Sequence, residues 1–371
     1  MNDDFAIVIP AYNPGDGLPG YVVALRAATG VPVLLVDDGS GPAAKAIFRQ
    51  CAESVPGVEV AVHETNRGKG RALKTAFARL LAGHPDLRGC VTCDCDGQHA
   101  PEDVAKCLAV LAARPGAVVL GCRAFDLERV PWKSRWGNNS MLLFFRLVTG
   151  RAFADTQTGL RGLPADFMRE LLGCPGERFE FETRMLLRLG RRDLLQVPIR
   201  TLYDDGNKGT HFKPVGDSAK IVGVLLGGAA RTLGAFALAS LLSFALDIGL
   251  FALLYYRVSG AGARGRLFFA VLLSRAVSVL FNYVCNRYFV FGGVRADRRF
   301  DAAAFGRYVV LAVAVMGASY ALTKLFGILL PRAPLAGVKA GVDACLFLAS
   351  YAVQRVAIFR HRDPPARDLD A

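Results

Sequence analysis

Cys90–His99 reads CVTCDCDGQH, with three cysteines, two aspartates and a histidine in one short stretch. A thiolate metal site needs four convergent ligands, commonly two C-x-x-C-like pairs, and no second pair stands within reach in the sequence. An apolar run that ends on carboxylates is instead what a buried strand brings to the C-terminal edge of an α/β sheet. Extended backbone alternates its side chains. Over 90–95 Cys93 and Cys95 therefore share one face, while Cys90, Asp94 and Asp96 follow the other parity. The cysteines then read as small apolar core residues, and the carboxylates as a pair suited to a hard cation. His99 either reaches such an ion or marks the start of the next helix beside Pro101.

Working outward, the same arrangement recurs. Strand-like runs FAIVIP (5–10), PVLLVD (32–37), VEVAV (58–62), CVTCDC (90–95) and AVVLGC (117–122) alternate with helical patterns near 18–29, 42–52, 69–82 and 102–113. This β–α alternation predicts a mainly parallel, Rossmann-like sheet covered on both faces. Its strand ends carry Pro10, Ala11, Tyr12 and Asn13, then Asp37 and Asp38, then Asp94 and Asp96, then Arg123. Ligands bind at that edge in such sheets.

The remainder of the chain is written for another solvent. The 371 residues are 53% hydrophobic, with a mean hydropathy of +0.32, and the excess lies beyond residue 226. Apolar stretches at about 233–256, 267–291, 305–330 and 335–359 each exceed the roughly 20 residues that span a bilayer. We divide the chain into a catalytic-type domain over 1–225 and an all-α membrane domain over 226–371. The formal charge of +13 fits an anionic membrane surface, because arginines flank the apolar runs. No arginine-rich arm or zinc framework supports nucleic-acid binding. Arg287, Arg295, Arg298, Arg299 and Arg307 crowd one loop and Arg355, Arg360, Arg362 and Arg367 follow the last span. The positive-inside rule places them, and the N-terminal domain, in the cytoplasm at the inner or plasma membrane. The loop RVSGAGARGR (257–266) runs against that pattern. The acidic start MNDDF gives no expectation of a cleaved signal peptide. Nine cysteines without framework spacing suit a reducing compartment.

The membrane half contains a repeat. NYVCNRYFVF (282–291) closes the second span, and SYAVQRVAIF (350–359) closes the fourth at a fixed offset. Two hairpins built alike predict a pseudo-symmetric four-helix unit. The same offset sets Arg275 opposite Asp343, and the first span carries Asp247. Such charges cost on the order of 2.5–3.5 kcal/mol unless paired. They read either as an internal ion pair or as a polar path for a lipid headgroup.

One dinucleotide-like motif fails on inspection. GDGLPG (15–20) follows a strand and precedes Asp37 at the expected spacing. AYNP separates it from that strand, and Pro19 removes an N–H where pyrophosphate would dock. The pairing of Asp37-Asp38 with Asp94-x-Asp96 explains more. A nucleotide-sugar needs hydrogen-bond acceptors for base and ribose, and a divalent cation held by one or two carboxylates for its diphosphate.

Taken in order, VIPAYN, LVDDGSG, NRGKGRALKTAF, CDCDGQH, GCR, DTQTGLRG and FEFET resemble family 2 glycosyltransferases of the polyprenyl-phosphate class, similar to dolichol-phosphate mannose synthase. The second half resembles a GtrA-like four-helix membrane domain. The resemblance implies a GT-A fold, Mg²⁺ or Mn²⁺, and inverting transfer from a UDP- or GDP-sugar. The acceptor it implies is a polyprenyl phosphate, undecaprenyl or dolichyl, at the cytoplasmic leaflet, for cell-envelope glycosylation. It implies further that Pro10, Tyr12, Asn13, Asp37, Asp38 and Asp94 surround the donor. Asp96 is then the main metal ligand, with Gln98 and Asp94 beside it. Pro14 stands where many members carry Glu. Lys69 lies in NRGKG, which reads as a Gly-rich turn or as a helix start. Arg123 and Arg135, with Asn139 one helical turn on, match positions beside the acceptor phosphate. Asp155, Gln157 and Arg161 match positions that frame sugar and acceptor, and Lys208 or His211 of DDGNKGTHF (204–212) would close over the donor phosphates or belong to a solvated linker. Homo-oligomerisation is left open.

A phosphate acceptor is anionic at neutral pH, so positioning and cationic clamps matter more than a general base. A processive polysaccharide synthase would carry Q-x-x-R-W, and here Trp132 stands in place of the Gln. A lipid-linked sugar flippase with a secondary transferase domain is the other alternative, and it would not need intact acidic motifs.

Overall fold

The computed structural model describes residues 4–123, 132–190, 192–200, 214–257, 263–291 and 301–359. They form two compact units. One holds the described residues up to Phe145 together with Ala152–Leu226, and the other holds Arg146–Arg151 and the described residues from Gly227 onward.

In chain order the first unit contains β1 (Phe5–Ala11), α1 (Leu18–Thr29), β2 (Val33–Asp37), α2 (Pro42–Ser54), β3 (Val58–Val62), α3 (Lys69–Gly83), β4 (Gly89–Thr92), α4 (Pro101–Ala113) and β5 (Val118–Arg123). There follow α5 (Trp132–Thr149), whose residues from Arg146 on fall in the other unit, β6 (Arg161–Pro164), α6 (Ala165–Leu172), α7 (Glu180–Leu187) and β7 (Leu194–Ile199). The seven strands make one sheet in the order β3-β2-β1-β4-β6-β5-β7. All its pairings are parallel except those of β6, which runs against β4 and β5.

Strand periodicity divides the core into two. Ala6 and Val8 of β1, Leu34 and Val36 of β2 and Leu120 of β5 face one side, with Phe77, Phe167 and Met185 from α3, α6 and α7. Phe5, Ile7 and Ile9, Val33 and Leu35, and Val119 face the other, with Leu18, Phe48 and Val104 from α1, α2 and α4. Each fully buried side chain of this kind contributes about 1.5–3 kcal/mol. The expected mainly parallel sheet, covered on both faces, is therefore present.

Strand β4 is shorter than the sequence reading. It ends at Thr92, and Cys93–His99 is a turn. The Cys93 N–H still reaches the Val8 carbonyl at 3.0 Å, but the next rung would need an N–H from Pro10, which has none. Face alternation therefore does not govern Asp94 and Asp96. Strands β6 and β7 escaped the sequence reading. β6 is four residues long, and β7 carries Pro198, which an edge strand tolerates.

The helices α8 (Pro214–Arg257), α9 (Ala263–Cys285), α10 (Ala302–Leu329) and α11 (Leu335–Val353) follow. They supply four stretches long and apolar enough to cross a bilayer, Lys220–Tyr256, Phe269–Val290, Ala302–Leu329 and Leu335–Ile358. The chain is a multi-pass membrane protein. α8 is one 44-residue helix, about 66 Å long at 1.5 Å per residue. Its Leu238, Leu241 and Phe244 point outward, as lipid-facing residues do.

The sequence repeat becomes geometry in the second unit. Asn286–Val290 and Gln354–Ile358 are both π-helical turns, placed alike at the ends of α9 and α11. Asn286 donates to the Gln354 side-chain oxygen at 3.0 Å across a sequence separation of 68 residues. Phe291 stacks on Phe359 with centroids 5.5 Å apart, and Tyr283–Phe359 and Tyr351–Phe291 mirror each other at 5.7 Å. Of the intramembrane charges, Arg275 pairs with Asp247 at 3.2 Å, while Asp343 pairs with Lys339 at 2.7 Å.

Candidate active site

Strands β1 and β4 are neighbours at the point where the strand order reverses, and the turns beyond their ends form the candidate site. Asn13 follows β1 with φ of 48°, a left-handed conformation that Asn tolerates. Its N–H donates to Ser40 Oγ at 2.9 Å, and its Oδ1 accepts from Gly41 N–H at 2.9 Å. The turns after β1 and β2 are thereby clasped. Asp37 accepts from the Ser40 N–H at 2.8 Å. Asp38 accepts from Arg67 N–H at 3.0 Å, Gly68 N–H at 2.7 Å and His63 Nδ1 at 2.7 Å. Both carboxylates are buried, and their hydrogen bonds shape the floor of the site.

The NRGKG segment is at once a glycine-rich turn and a helix start. Lys69 opens α3, and a Cβ at Gly68 would lie 2.4 Å from the Glu177 carbonyl. Only glycine allows this close approach to the segment before α7. The Lys69 ammonium lies 2.7 Å from Asp94 Oδ1 and 3.0 Å from Glu182 Oε1. Burial alone would depress its pKa, but Asp94 and then Glu182 outweigh that and keep it charged. The same contest is won from the other side. Burial pushes the Asp94 carboxyl up, and the Lys69 charge holds it down at about 2. Asp94 also sits against Gly159, where a Cβ would fall 2.2 Å from its Oδ2.

Asp96 stands two residues further along the turn and is exposed. Its Oδ1 accepts from Gln98 N–H at 3.1 Å. Partial withdrawal from water, and then the Asp94 charge, push its carboxyl upward. His99 is buried and its pKa is lowered by that burial, against the pull of Asp94 and Asp96. Its Nδ1 receives the Asp94 N–H at 3.3 Å, so it serves the turn as a neutral acceptor. Tyr21 donates to the His99 carbonyl at 2.7 Å. Among the described residues no three His, Cys, Asp or Glu side chains converge as a complete metal cage. The turn nevertheless offers two carboxylates, one exposed and a second shared with a lysine. That set suits a hard cation completed by substrate oxygens and water.

On the far side of the edge, Arg123 at the end of β5 is gripped by Asp155. Its Nε donates to Oδ2 at 2.7 Å and its Nη2 to Oδ1 at 3.2 Å. Asp155 is fully buried, whereas the Arg123 side chain retains 25% exposure. Gln157 N–H also donates to Asp155 Oδ1, at 2.9 Å, and the Gln157 side chain is exposed.

Comparison with known proteins decides what this edge belongs to. Residues 6–166 match the model of glycosyl transferase family 2, and residues 230–359 match that of the GtrA/DPMS transmembrane domain. The chain joins a family 2 glycosyltransferase domain to a GtrA/DPMS transmembrane domain. Similar curated proteins include a UDP-N-acetylglucosamine–dolichyl-phosphate N-acetylglucosaminyltransferase of Methanococcus voltae, 26% identical over 54% of this chain and 86% of that protein. A polyprenol monophosphomannose synthase of Mycolicibacterium smegmatis is 30% identical over 45% of this chain and 62% of that protein. Among solved structures, a mannosyltransferase from Pyrobaculum calidifontis in complex with GDP-Man and Mn²⁺ is 16% identical, with a TM-score of 0.39, over 95% of this chain and 86% of that one.

Within the glycosyltransferase domain, one expected site residue lies buried behind the Lys69–Asp94–Glu182 cluster, its Nη2 3.9 Å from Glu182 Oε1. Arg161 was expected to frame sugar and acceptor, yet it is 1% exposed. It begins the antiparallel strand β6, opposite Thr92 and Leu120, and donates to the carbonyls of Thr158 at 2.9 Å and Glu182 at 2.8 Å. Its work is to hold α7 against the sheet. Glu182, in turn, is a site residue that the sequence reading missed. FEFET was recognised, but nothing in its local pattern says which acid reaches Lys69. Arg135 and Asn139 lie one turn apart on α5, with side chains outside the described residues. Lys208 and His211 lie outside the described residues altogether.

Proposed function

We propose that this glycosyltransferase moves one sugar from a UDP- or GDP-linked donor to a polyprenyl phosphate, with inversion, at the cytoplasmic face of the membrane. The observation that carries the reading is the arrangement at one sheet edge. Asp96 is exposed beside the charge-balanced Lys69–Asp94–Glu182 cluster, and Arg123 is fixed across the edge by Asp155. The names of the similar dolichyl- and polyprenol-linked enzymes support the acceptor class.

The roles follow from what each group can do. Pro10, Tyr12, Asn13 and the Asp37-Asp38 turn shape the nucleoside floor. Asp96, with Gln98 and the shared Asp94, would hold Mg²⁺ or Mn²⁺. When bound, that ion neutralises the diphosphate and eases its departure. Lys69 holds Asp94 ionised and in place, so the acidic turn is set before the donor arrives. Arg123, stiffened by Asp155, presents a cation to the acceptor phosphate, with Arg135 and Asn139 of α5 as its partners. The acceptor oxygen is already anionic, so Asp155 is left to orient Arg123 rather than to take a proton.

Radiolabelled nucleotide-sugars and undecaprenyl phosphate, incubated with purified protein with and without EDTA, test this reading. A lipid-extractable product that EDTA suppresses is expected. Absence of such a product from every UDP- and GDP-sugar would overturn it.

A further inference from the structure

The edge strand β7 carries one residue that breaks its apolar pattern. Leu195, Val197 and Ile199 fill the core on one side of the sheet, and Leu194 fills it on the other. Gln196 follows Leu194 in parity, where a further apolar side chain would continue the row. Its half-buried amide is instead committed at both ends. Nε2 donates to the Ala152 carbonyl at 3.0 Å, and Oε1 accepts from the Ala154 N–H at 2.6 Å. The Cys122 thiol, on β5, lies 3.7 Å from the same oxygen.

The two backbone groups that Gln196 takes flank Phe153. Residues 152–155 belong to no strand, yet their burial alternates as in one, with Ala152 and Ala154 exposed and Phe153 and Asp155 buried. In an extended chain the carbonyl of one residue and the N–H two positions later point the same way. They are the pair that a neighbouring parallel strand engages. The Gln196 side chain stands in for that strand. Asp155 is the next residue along. Its carboxylate is fully buried and holds Arg123 through two bonds, at 2.7 and 3.2 Å.

Both members of that pair are therefore referred to β7. Arg123 is placed by the ladder, opposite Ile199 in the parallel register of β5 and β7. Asp155 is placed by the grip of Gln196 on the residues just before it. Two-point pairing of a guanidinium with a carboxylate is geometrically exacting, and a buried carboxylate has no water to turn to when its partner shifts. A displacement of about 1 Å in a positioned group can cost on the order of 10²-fold in rate. We infer that Gln196 is a positioning residue for the acceptor phosphate. Its two-ended hold on Ala152 and Ala154 fixes Asp155, and through Asp155 the direction of the Arg123 cation. The inference rests on the reading of Arg123 given above as the group that meets the acceptor phosphate.

The test measures binding and needs no sugar donor. The full chain in detergent micelles is titrated with undecaprenyl phosphate and, separately, with undecaprenol, and bound lipid is counted by native mass spectrometry. Gln196→Met keeps the length of the side chain and removes both bonds. Ala154→Pro leaves Gln196 in place and removes the N–H that it accepts, at an exposed position whose neighbour is already extended. Each variant should weaken undecaprenyl phosphate binding by about tenfold and leave undecaprenol binding unchanged, because undecaprenol offers Arg123 no phosphate. Added to Arg123→Ala, Gln196→Met should cause no further loss. Equal loss of undecaprenol binding, or additive loss in the double variant, would reduce Gln196 to a structural residue and overturn the inference. If Arg123→Ala loses phosphate-selective binding while Gln196→Met and Ala154→Pro retain it, the inference alone falls. If Arg123→Ala itself retains it, the reading of Arg123 falls and takes the inference with it.

Discussion

The ammonium of Lys69, at the first residue of α3, sits 2.7 Å from a carboxylate oxygen of Asp94 in the turn after β4. Through that pair, and the second arm of Lys69 to Glu182, the glycine-rich turn, the acidic turn and α7 form one electrostatic unit. Asp96 is left at its solvent-facing end.

Asp96→Asn removes the exposed carboxylate and leaves the Lys69 cluster untouched. Transfer should fall by at least about 10²-fold. Thermal unfolding should match the wild type, and Mn²⁺ titration followed by electron paramagnetic resonance should show weakened binding. Near-normal turnover would remove Asp96 from the metal site.

Arg123→Ala and Asp155→Asn should both raise the KM for the lipid acceptor and leave the donor KM nearly unchanged. Because Asp155 acts through Arg123, the double variant should be little worse than Arg123→Ala alone. Additive losses would mean that Asp155 meets substrate directly.

Arg161→Met addresses the buried arginine behind Glu182. Its guanidinium is buried and hydrogen-bonded to α7, so the variant should lose about 3 kcal/mol of stability, comparable to breaking a buried ion pair. Any protein that folds should keep an unchanged acceptor KM. A selective KM effect with normal melting would restore Arg161 to the substrate.

Glu177 gives a prediction about pH. It accepts from Lys74 at 2.8 Å and from Arg71 at 2.9 Å, fixing α3 to the segment before α7. Burial pushes its carboxyl up, but Lys74 and Arg71 outweigh this and hold it below the ordinary value of 4.5. A depressed carboxylate adds stability above its unfolded pKa and loses it as the pH falls through the folded value. Glu177→Gln should therefore lower the melting temperature at pH 7 and flatten its decline below about pH 4.5. An unchanged acid limb would show that the pairing contributes nothing.

Much of this was legible along the chain. Short apolar runs predicted five of the strands, because a parallel strand covered by helices on both faces buries successive side chains. Sustained hydrophobic length predicted the four spans. The repeat of Asn282–Phe291 in Ser350–Phe359 anticipated the paired hairpins, although not the Asn286–Gln354 bond between them. Where the reading failed, the cause was a partner distant in sequence. Pro10 on β1 stops β4 at Thr92. Arg161 and Asp155 are six positions apart in one motif, yet the antiparallel turn into β6 buries one against α7 and sets the other under Arg123.

Sequence alone therefore determined the solvent of each half, the alternation of strand and helix, and the chemical types gathered at the sheet edge. Periodicity, length and composition are local properties, and they survive being read in one dimension. Only the tertiary structure decided which charge meets which. Lys69 finds Asp94 and Glu182, and Asp247 finds Arg275, because strand order and helix packing bring distant residues within hydrogen-bonding reach. Coulomb attraction and desolvation act over a few ångströms in space, and spacing along the chain does not encode that distance.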